Sequence, residues 1–282
     1  MPFKLTVKEI TQAVKGQLLT EVNVNSKVIG FQSDSRKVMT DELFIPLKGD
    51  VYDAHDFIDS AIENGAKFIL THKDVPTQDG VCYIKVKDTL EALQDLAKFW
   101  RTQCYYKVLA ITGSNGKTTS KEYAKYVIGD HLKVTASEGS FNNHWGVPFT
   151  ILNSNTNDDV LILEMGMNHL GELKLLSEIG QQEVSVVTTV GQAHVGEVGS
   201  LENIVKAKKE LYDYSPQAQH VFNLDNEHTL KMYEESSAQN KLSFSTLRET
   251  ADIHLKIDSY DITGMQLSGH IAGEVGLSLI HI

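Results

Sequence analysis

Four residues in the middle of the chain are of the types that handle phosphate and a divalent cation. "VLAITGSNGKTTS" (Val108–Ser120) runs an apolar stretch into two glycines, then Lys117 and Thr118, then a helical pattern. The strict phosphate-loop spacing is G-x-x-x-x-G-K-[ST], and here Ile111 stands where the first glycine belongs; Gly113 comes two residues later. Strand before and helix after supply the context such a loop needs. The amides from Gly113 to Lys117 are expected to face phosphate oxygens at a helix N-terminus, which favours negative charge. Lys117 would neutralise the β- and γ-phosphates and Thr118 would offer its hydroxyl to Mg²⁺. Glu164 follows the apolar run "VLIL" and sits at a strand end, where a carboxylate can hold Mg²⁺, an ion that prefers oxygen ligands.

Two further residues belong to the same rim. His194 stands four residues past Val190, after the apolar run "EVSVV". It reads equally as a structural histidine or as a metal or substrate contact. Lys208 lies in "SLENIVKAKKELYDY", a helix that Ser200 can cap. Leu201, Ile204, Val205, Leu211 and Tyr212 make its apolar stripe; Lys208 falls inside that stripe, Lys206 and Lys209 outside it. A lysine there either snorkels along its stem or is chemically used with a lowered pKa. Asn142 and Asn143, in "EGSFNNHWGVP", either bind a sugar or peptide or stabilise their own loop.

The elements that must position these residues form an α/β pattern. From Lys107 onward, apolar strands ("KVLAIT", "DDVLILEMG", "EVSVVTTVG") alternate with helices. That pattern predicts a mostly parallel sheet covered on both faces, with ligands beyond the carboxyl ends of the strands. The first hundred residues predict a smaller α/β unit. "TVKEITQAVKG" is a helix ended by Gly16, and "DFIDSAIENGAKFILTH" is a helix, a cap at Gly65 and a strand. "DTLEALQDLAKFW" is an amphipathic helix with Leu90, Leu93, Ala97 and Trp100 on one face, and the polar "RTQ" after it is a hinge. The expected domains are 1–103 and 104–282.

Bulk composition narrows the class. With 282 residues and a formal net charge of -11, a broad nucleic-acid surface is disfavoured, while local anion sites are not. No apolar run approaches the ~20 residues of a membrane helix. The first residues lack a signal peptide's apolar core. Cys82 and Cys104 make no disulfide or zinc framework, so a reducing, cytoplasmic setting is expected.

Taken together, "ITGSNGKTT", "FNNHWGVP", "LEMGMNHLGEL", "AHVGEVGS" and "KAKKELY" occur in the order found in the Mur ligases, and the shifted glycine resembles that family's phosphate loop. "SDSRKV" followed by "ELFIPLKGDVYDAHDF" resembles the family's uridine-nucleotide domain. "EMGMNHLGE" and "FNNHWGVP" resemble the branch that adds D-Ala-D-Ala to a UDP-linked muramoyl tripeptide. The resemblance implies an N-terminal UDP-substrate domain and a central ATP-binding ligase domain. ATP would phosphorylate the tripeptide's terminal carboxylate, and the dipeptide amine would attack the acyl phosphate. It implies Gly113, Ser114, Asn115, Gly116, Lys117, Thr118 and Thr119 around the phosphates, with Asn223 and Asp225 near the base. Thr118 and Glu164 would hold one Mg²⁺; His194 and a carbamylated Lys208 would serve a second. Ser35 and Asp50 would contact the uridine nucleotide, and Asn142 and Asn143 the muramoyl peptide. Ser140 and Thr189 depart from the asparagines usual at those places. The family's C-terminal domain is expected to be absent, and the chain is expected to be a monomer. Two other readings stand beside this one: a nucleotide- or UDP-substrate-binding module without ligation, and a folate-type glutamate ligase.

Overall fold

A computed structural model describes residues 2–191, 195–261, 264–271 and 274–281. The chain forms two compact units, Met1–Tyr106 with Glu138–Asp159, and Lys107–Ser137 with Val160–Ile282. The division is not in chain order: residues 138–159 fold with the first unit.

The first unit contains α1 (Val7–Ala13), α2 (Ile58–Glu63) and α3 (Thr89–Thr102). Its sheet comprises β1 (Gln17–Leu18), β2 (Gly30–Gln32), β3 (Glu42–Phe44), β4 (Phe68–Thr71) and β5 (Cys82–Lys85), in the order β1-β5-β4-β3-β2. All pairings are parallel except β1 with β5. Phe44, Ile58, Ala61, Ile69 and Tyr83 form its core beneath α2.

Local chemistry sets the helix ends. Thr6 and Glu9 form a capping box that starts α1. The helix stops at Ala13, ahead of the expected Gly16, and Lys15 takes the left-handed turn at φ 53°. Gly16 serves close packing instead, since a Cβ there would lie 2.5 Å from Ile84 Cγ2. Gly65 does close the turn after α2, at φ 106°. The "RTQ" segment is not a hinge: Arg101 and Thr102 complete α3, and the buried Arg101 donates to Cys104 O at 3.1 Å and lies 5.0 Å from the Tyr106 ring centre. A guanidinium that stacks and hydrogen-bonds can finish a buried helix, which composition alone does not reveal. The buried face of α3 is also wider than the expected stripe, taking in Ala92, Gln94 and Leu96.

The second unit begins with β6 (Lys107–Thr112), α4 (Lys117–Gly129) and β7 (Val134–Ala136). The chain then supplies α5 (Gly146–Asn153) to the first unit. It returns through β8 (Val160–Glu164), α6 (Glu172–Gly180), β9 (Val184–Val187), α7 (Leu201–Asp213), β10 (Gln219–Asn223) and α8 (Glu227–Glu235). Four strands follow: β11 (Lys241–Ser245), β12 (Ile253–Asp261), β13 (Gly264–Ile271) and β14 (Glu274–His281). The nine strands are ordered β7-β8-β6-β9-β10-β11-β12-β13-β14, parallel from β7 to β12 and antiparallel beyond.

Strand β6 is where the winding reverses. β8 and β7 lie on one side of it, β9 and β10 on the other, so a crevice opens beyond its carboxyl end. Ile111, Ala136 and Ile162 pack against Ala124 and Ile128 of α4, holding that helix over the sheet. Among the described residues no helix is long and apolar enough to cross a membrane.

Candidate active site

The loop leaves β6 at the reversal point. Gly113 (φ 153°) and Gly116 (φ 81°) turn it, and Gly116 is the N-cap of α4, so Lys117 is the first helical residue. Lys117 Nζ donates to Gly113 O at 2.8 Å. The expectation that all amides from Gly113 to Lys117 face a phosphate is corrected here. Ser114 N donates to Thr189 O at 2.8 Å and Asn115 N to Thr189 Oγ1 at 3.3 Å. The reason is a second loop, residues 188–191 after β9, that lies along the first. Thr188 Oγ1 donates to Asn115 O at 2.6 Å, and Ser114 Oγ exchanges hydrogen bonds with Gly191 N and O. Lys117, Thr118 and Thr119, in the first turn of α4, remain at the helix N-terminus.

This strapping makes Gly113 irreplaceable. A Cβ there would collide with the Thr188 hydroxyl, and the backbone angle is one side chains rarely adopt. Gly113→Ala is expected to cost ~2–3 kcal/mol and to abolish nucleotide binding. Thermal unfolding and nucleotide titration of the same variant check both effects.

Glu164 ends β8 opposite Ile111, buried beside the loop. Thr118 Oγ1 donates to Glu164 Oε2 at 2.9 Å, so the two oxygens assigned to Mg²⁺ are already neighbours. Lys121, one turn along α4 and equally buried, donates to Ser137 O at 2.7 Å and pairs with Glu122 Oε1 at 2.9 Å. Its ammonium lies 3.9 Å from Glu164 Oε2. The Ser137 hydroxyl accepts from Glu164 N at 3.1 Å.

Lys208 faces inward on α7, only 2 % exposed, as the apolar stripe required. Burial, and secondarily the nearby Lys117 ammonium, lowers its pKa to about 8. Burial also lowers the Lys117 pKa, with the Glu164 carboxylate opposing. The Lys117 ammonium is thus felt at Lys208, and the Glu164 carboxylate at Lys117. His194 lies outside the described residues.

Asn223 and Asp225, expected near the base, both make bonds within the chain. Asn223 Nδ2 donates to Thr188 O at 2.9 Å. Asp225 accepts from Ser245, Thr246 and Leu247; burial raises its pKa, but these bonds outweigh burial and hold the carboxyl low. Asn226, which sequence reasoning passed over, clamps Val190 by both its N–H and its carbonyl, at 3.3 and 3.0 Å. The loop at 188–191 is therefore held from two sides.

The first unit has a cleft of its own, about 860 Å³, lined by Ser35, Arg36, Lys48, Tyr52, Trp145 and Phe149 among others. Ser35, expected to contact the uridine nucleotide, is one of these lining residues. Asp50 is exposed and is not among the lining residues, which include its neighbours Gly49 and Tyr52. Arg36 chelates Asp34 at 2.9 and 2.8 Å and holds that carboxyl down to about 2. Asn143 Oδ1 accepts from Trp145 N and Gly146 N at 3.3 and 2.9 Å, an N-terminal lock for α5; Asn142 is half-buried beside it. Asn143 thereby acts on the loop and presents Trp145 to the cleft. The aromatic lining had no periodic signal, because Trp145 and Phe149 arrive from α5, far along the chain.

A second polar cluster in this unit, Asp53, His55 and His72, has the make-up of a cation site. Its charge is already balanced: Lys73 Nζ sits 2.9 Å from Asp53 Oδ2, and His55 Nδ1 lies 2.6 Å from Asp53 Oδ1.

Comparison with known proteins gives two family matches. Residues 111–279 match the Mur ligase middle domain, and residues 27–101 match the Mur ligase family, catalytic domain. The chain is 40% identical over 210 residues to UDP-N-acetylmuramoyl-tripeptide–D-alanyl-D-alanine ligase of Bacillus subtilis (strain 168), covering 74% of this chain and 46% of that protein. A crystal structure of MurF from Acinetobacter baumannii superposes with a TM-score of 0.91 at 27% identity, over 100% of this chain and 62% of that one. The Thermotoga maritima MurF ligase in complex with ADP gives 0.80 at 28% identity, over 88% of this chain and 57% of that one. The chain thus spans about half the length of the Bacillus relative.

Proposed function

Because the chain belongs to the Mur ligase family, we propose that it carries the ATP site and the nucleotide-substrate site of a ligase joining D-Ala-D-Ala to UDP-N-acetylmuramoyl-tripeptide. The observation that carries this reading is the Thr118–Glu164 contact at the reversal point, beside Lys117. A hydroxyl and a buried carboxylate, 2.9 Å apart, are an oxygen pair suited to Mg²⁺, which would neutralise phosphate charge when bound. Lys208 as an amine is not such a donor. Carbamylation, in which the neutral nitrogen attacks CO₂ and loses a proton, would make it one, with His194 as its companion at a second ion.

The reaction needs placement and charge compensation above all. Lys117 would exchange Gly113 O for phosphate oxygens, while the α4 N-terminus faces the same charge. The γ-phosphoryl would pass to the tripeptide carboxylate, and the dipeptide amine would then displace phosphate. In the first unit, Arg36 and Lys48 would meet the UDP phosphates and the aromatic side chains would cover the uridine or sugar, with Ser35 donating. A cytoplasmic, monomeric protein of cell-wall precursor synthesis goes with this reading.

Calorimetric titration separates the alternatives. Both MgATP and UDP-N-acetylmuramoyl-tripeptide are expected to bind, and Arg36→Ala is expected to weaken only the second, by about tenfold. Binding of both without phosphate release when D-Ala-D-Ala is added would favour the binding module. Selective binding of a folate over the UDP-peptide would favour the glutamate ligase.

A further inference from the structure

The proposed metal site contains a positive charge of its own. Lys121 is fully buried on α4, with its ammonium 3.9 Å from Glu164 Oε2, the oxygen that also accepts from Thr118. Its other contacts fix where that charge sits. Ser137 O receives it at 2.7 Å, and Ser137 is tied to β8 both by its own N–H to Ile162 O and by its hydroxyl to Glu164 N. Glu122 is the ammonium's closer carboxylate, at 2.9 Å, but it is largely exposed, so Glu164 is the buried carboxylate beside it. The buried carboxylate and the buried ammonium therefore face one another inside the unit, where screening by salt is weak.

We infer that Lys121 is a positioning residue that acts as the internal counter-ion of Glu164, compensating it until nucleotide arrives, so that the divalent cation is held firmly only together with the phosphates. The inference rests on the reading of Thr118 and Glu164 as cation ligands. Two effects of the ammonium oppose each other. It orients Oε2, which helps a cation, and it repels a cation approaching the same oxygen. Thr118 already supplies orientation through its hydrogen bond to Oε2, and β8 fixes the backbone. The charge is what Lys121 adds, so repulsion dominates. With nucleotide bound, the phosphate charges would outweigh one ammonium, and Thr118 and Glu164 would hold the cation that compensates them.

Mn²⁺ binding followed by electron paramagnetic resonance tests this without any turnover. Lys121→Gln keeps a donor for Ser137 O but deletes the charge; Lys121→Met deletes both; Lys121→Arg keeps the charge. In nucleotide-free protein, the Gln and Met variants are expected to bind Mn²⁺ about tenfold more tightly than the parent, and Arg to leave affinity unchanged. With ADP present the difference should shrink to within about threefold. Unchanged or weaker nucleotide-free binding in Lys121→Gln overturns the counter-ion role, and that variant decides the matter if the Met variant does not fold. Glu164→Gln is the control. Loss of Mn²⁺ binding there, with no gain in Lys121→Gln, sinks the Lys121 inference alone. Unaltered Mn²⁺ binding in Glu164→Gln sinks the cation site itself, and Lys121's role with it.

Discussion

Lys117→Ala is expected to weaken MgADP and MgATP binding by about 10²–10³-fold, with little change in thermal stability. The asymmetry follows from what the side chain does in each state. In the folded chain it makes one hydrogen bond to Gly113 O, and burial makes its charge costly, as its lowered pKa records. Removing it therefore relieves a desolvated cation at the expense of one contact. Against a polyphosphate the same ammonium makes charge-assisted bonds in a partly dehydrated crevice, and nothing else in the first turn of α4 can replace it. Lys117→Arg should not restore affinity, because a planar guanidinium does not fit a turn shaped for a point charge. Calorimetry with ADP, alongside thermal unfolding, reads both quantities. Wild-type affinity in the alanine variant would mean that this loop is not the phosphate site.

The second large effect concerns Lys208 and pH. Its pKa in the folded chain is lowered to about 8. An unfolded lysine titrates near 10.4, so between about 8 and 10.4 the unfolded chain holds a proton that the folded chain has released. Stability from this residue accordingly rises with pH across that window, by roughly 3 kcal/mol, and the full cost of burying the charge is felt below about pH 8. In CO₂-free buffer, Lys208→Met should flatten that slope and melt at a higher temperature than the parent at pH 7. A buried charge replaced by a side chain of similar volume commonly stabilises. The same neutral fraction governs carbamylation, so a mass increase of one CO₂ on Lys208, in bicarbonate, should grow as pH rises through 8. A melting temperature lower in the Met variant at pH 7, with the slope intact, would contradict the burial cost. A costly lysine kept in a core position is the signature of a residue retained for chemistry.

What was legible in advance was local. Gly113, Gly116, Lys117 and Thr118 sit on a strand–loop–helix transition, and Lys208 stands out of phase on an apolar stripe; short-range spacing carries both signals. Glu164 was legible because a strand end next to such a loop has few other places to point. The rest depended on segments distant in sequence. Lys121 looks like one more polar residue of "KTTSKEYAKYVI", and only the approach of β7 and β8 buries it. Thr188 and Asn226 acquire roles because two loops lie against one another. The bonds of Asn223 to Thr188 and of Asp225 to the segment after β11 likewise join stretches distant in sequence. Asn143 bonds within its own loop, one of the two readings its spacing leaves open, but spacing does not place the Trp145 it locks in a cleft formed mainly by residues before 61.

The crossing of the chain between units governs the order of events during synthesis. Gln94 of α3 donates to His144 O, and Phe31 stacks on Phe149 at 5.5 Å, so the first unit lacks part of its interior until residues 138–159 have been made. By then β6, α4 and β7 have left the ribosome, exposing apolar strands that still await β8 and β9. The nascent chain therefore cannot finish one unit before starting the next, as tandem units do: the first closes only with residue 159, and the second still needs residues 160–282. Termination between residues 107 and 159 would therefore release two incomplete cores at once, each with apolar surface uncovered.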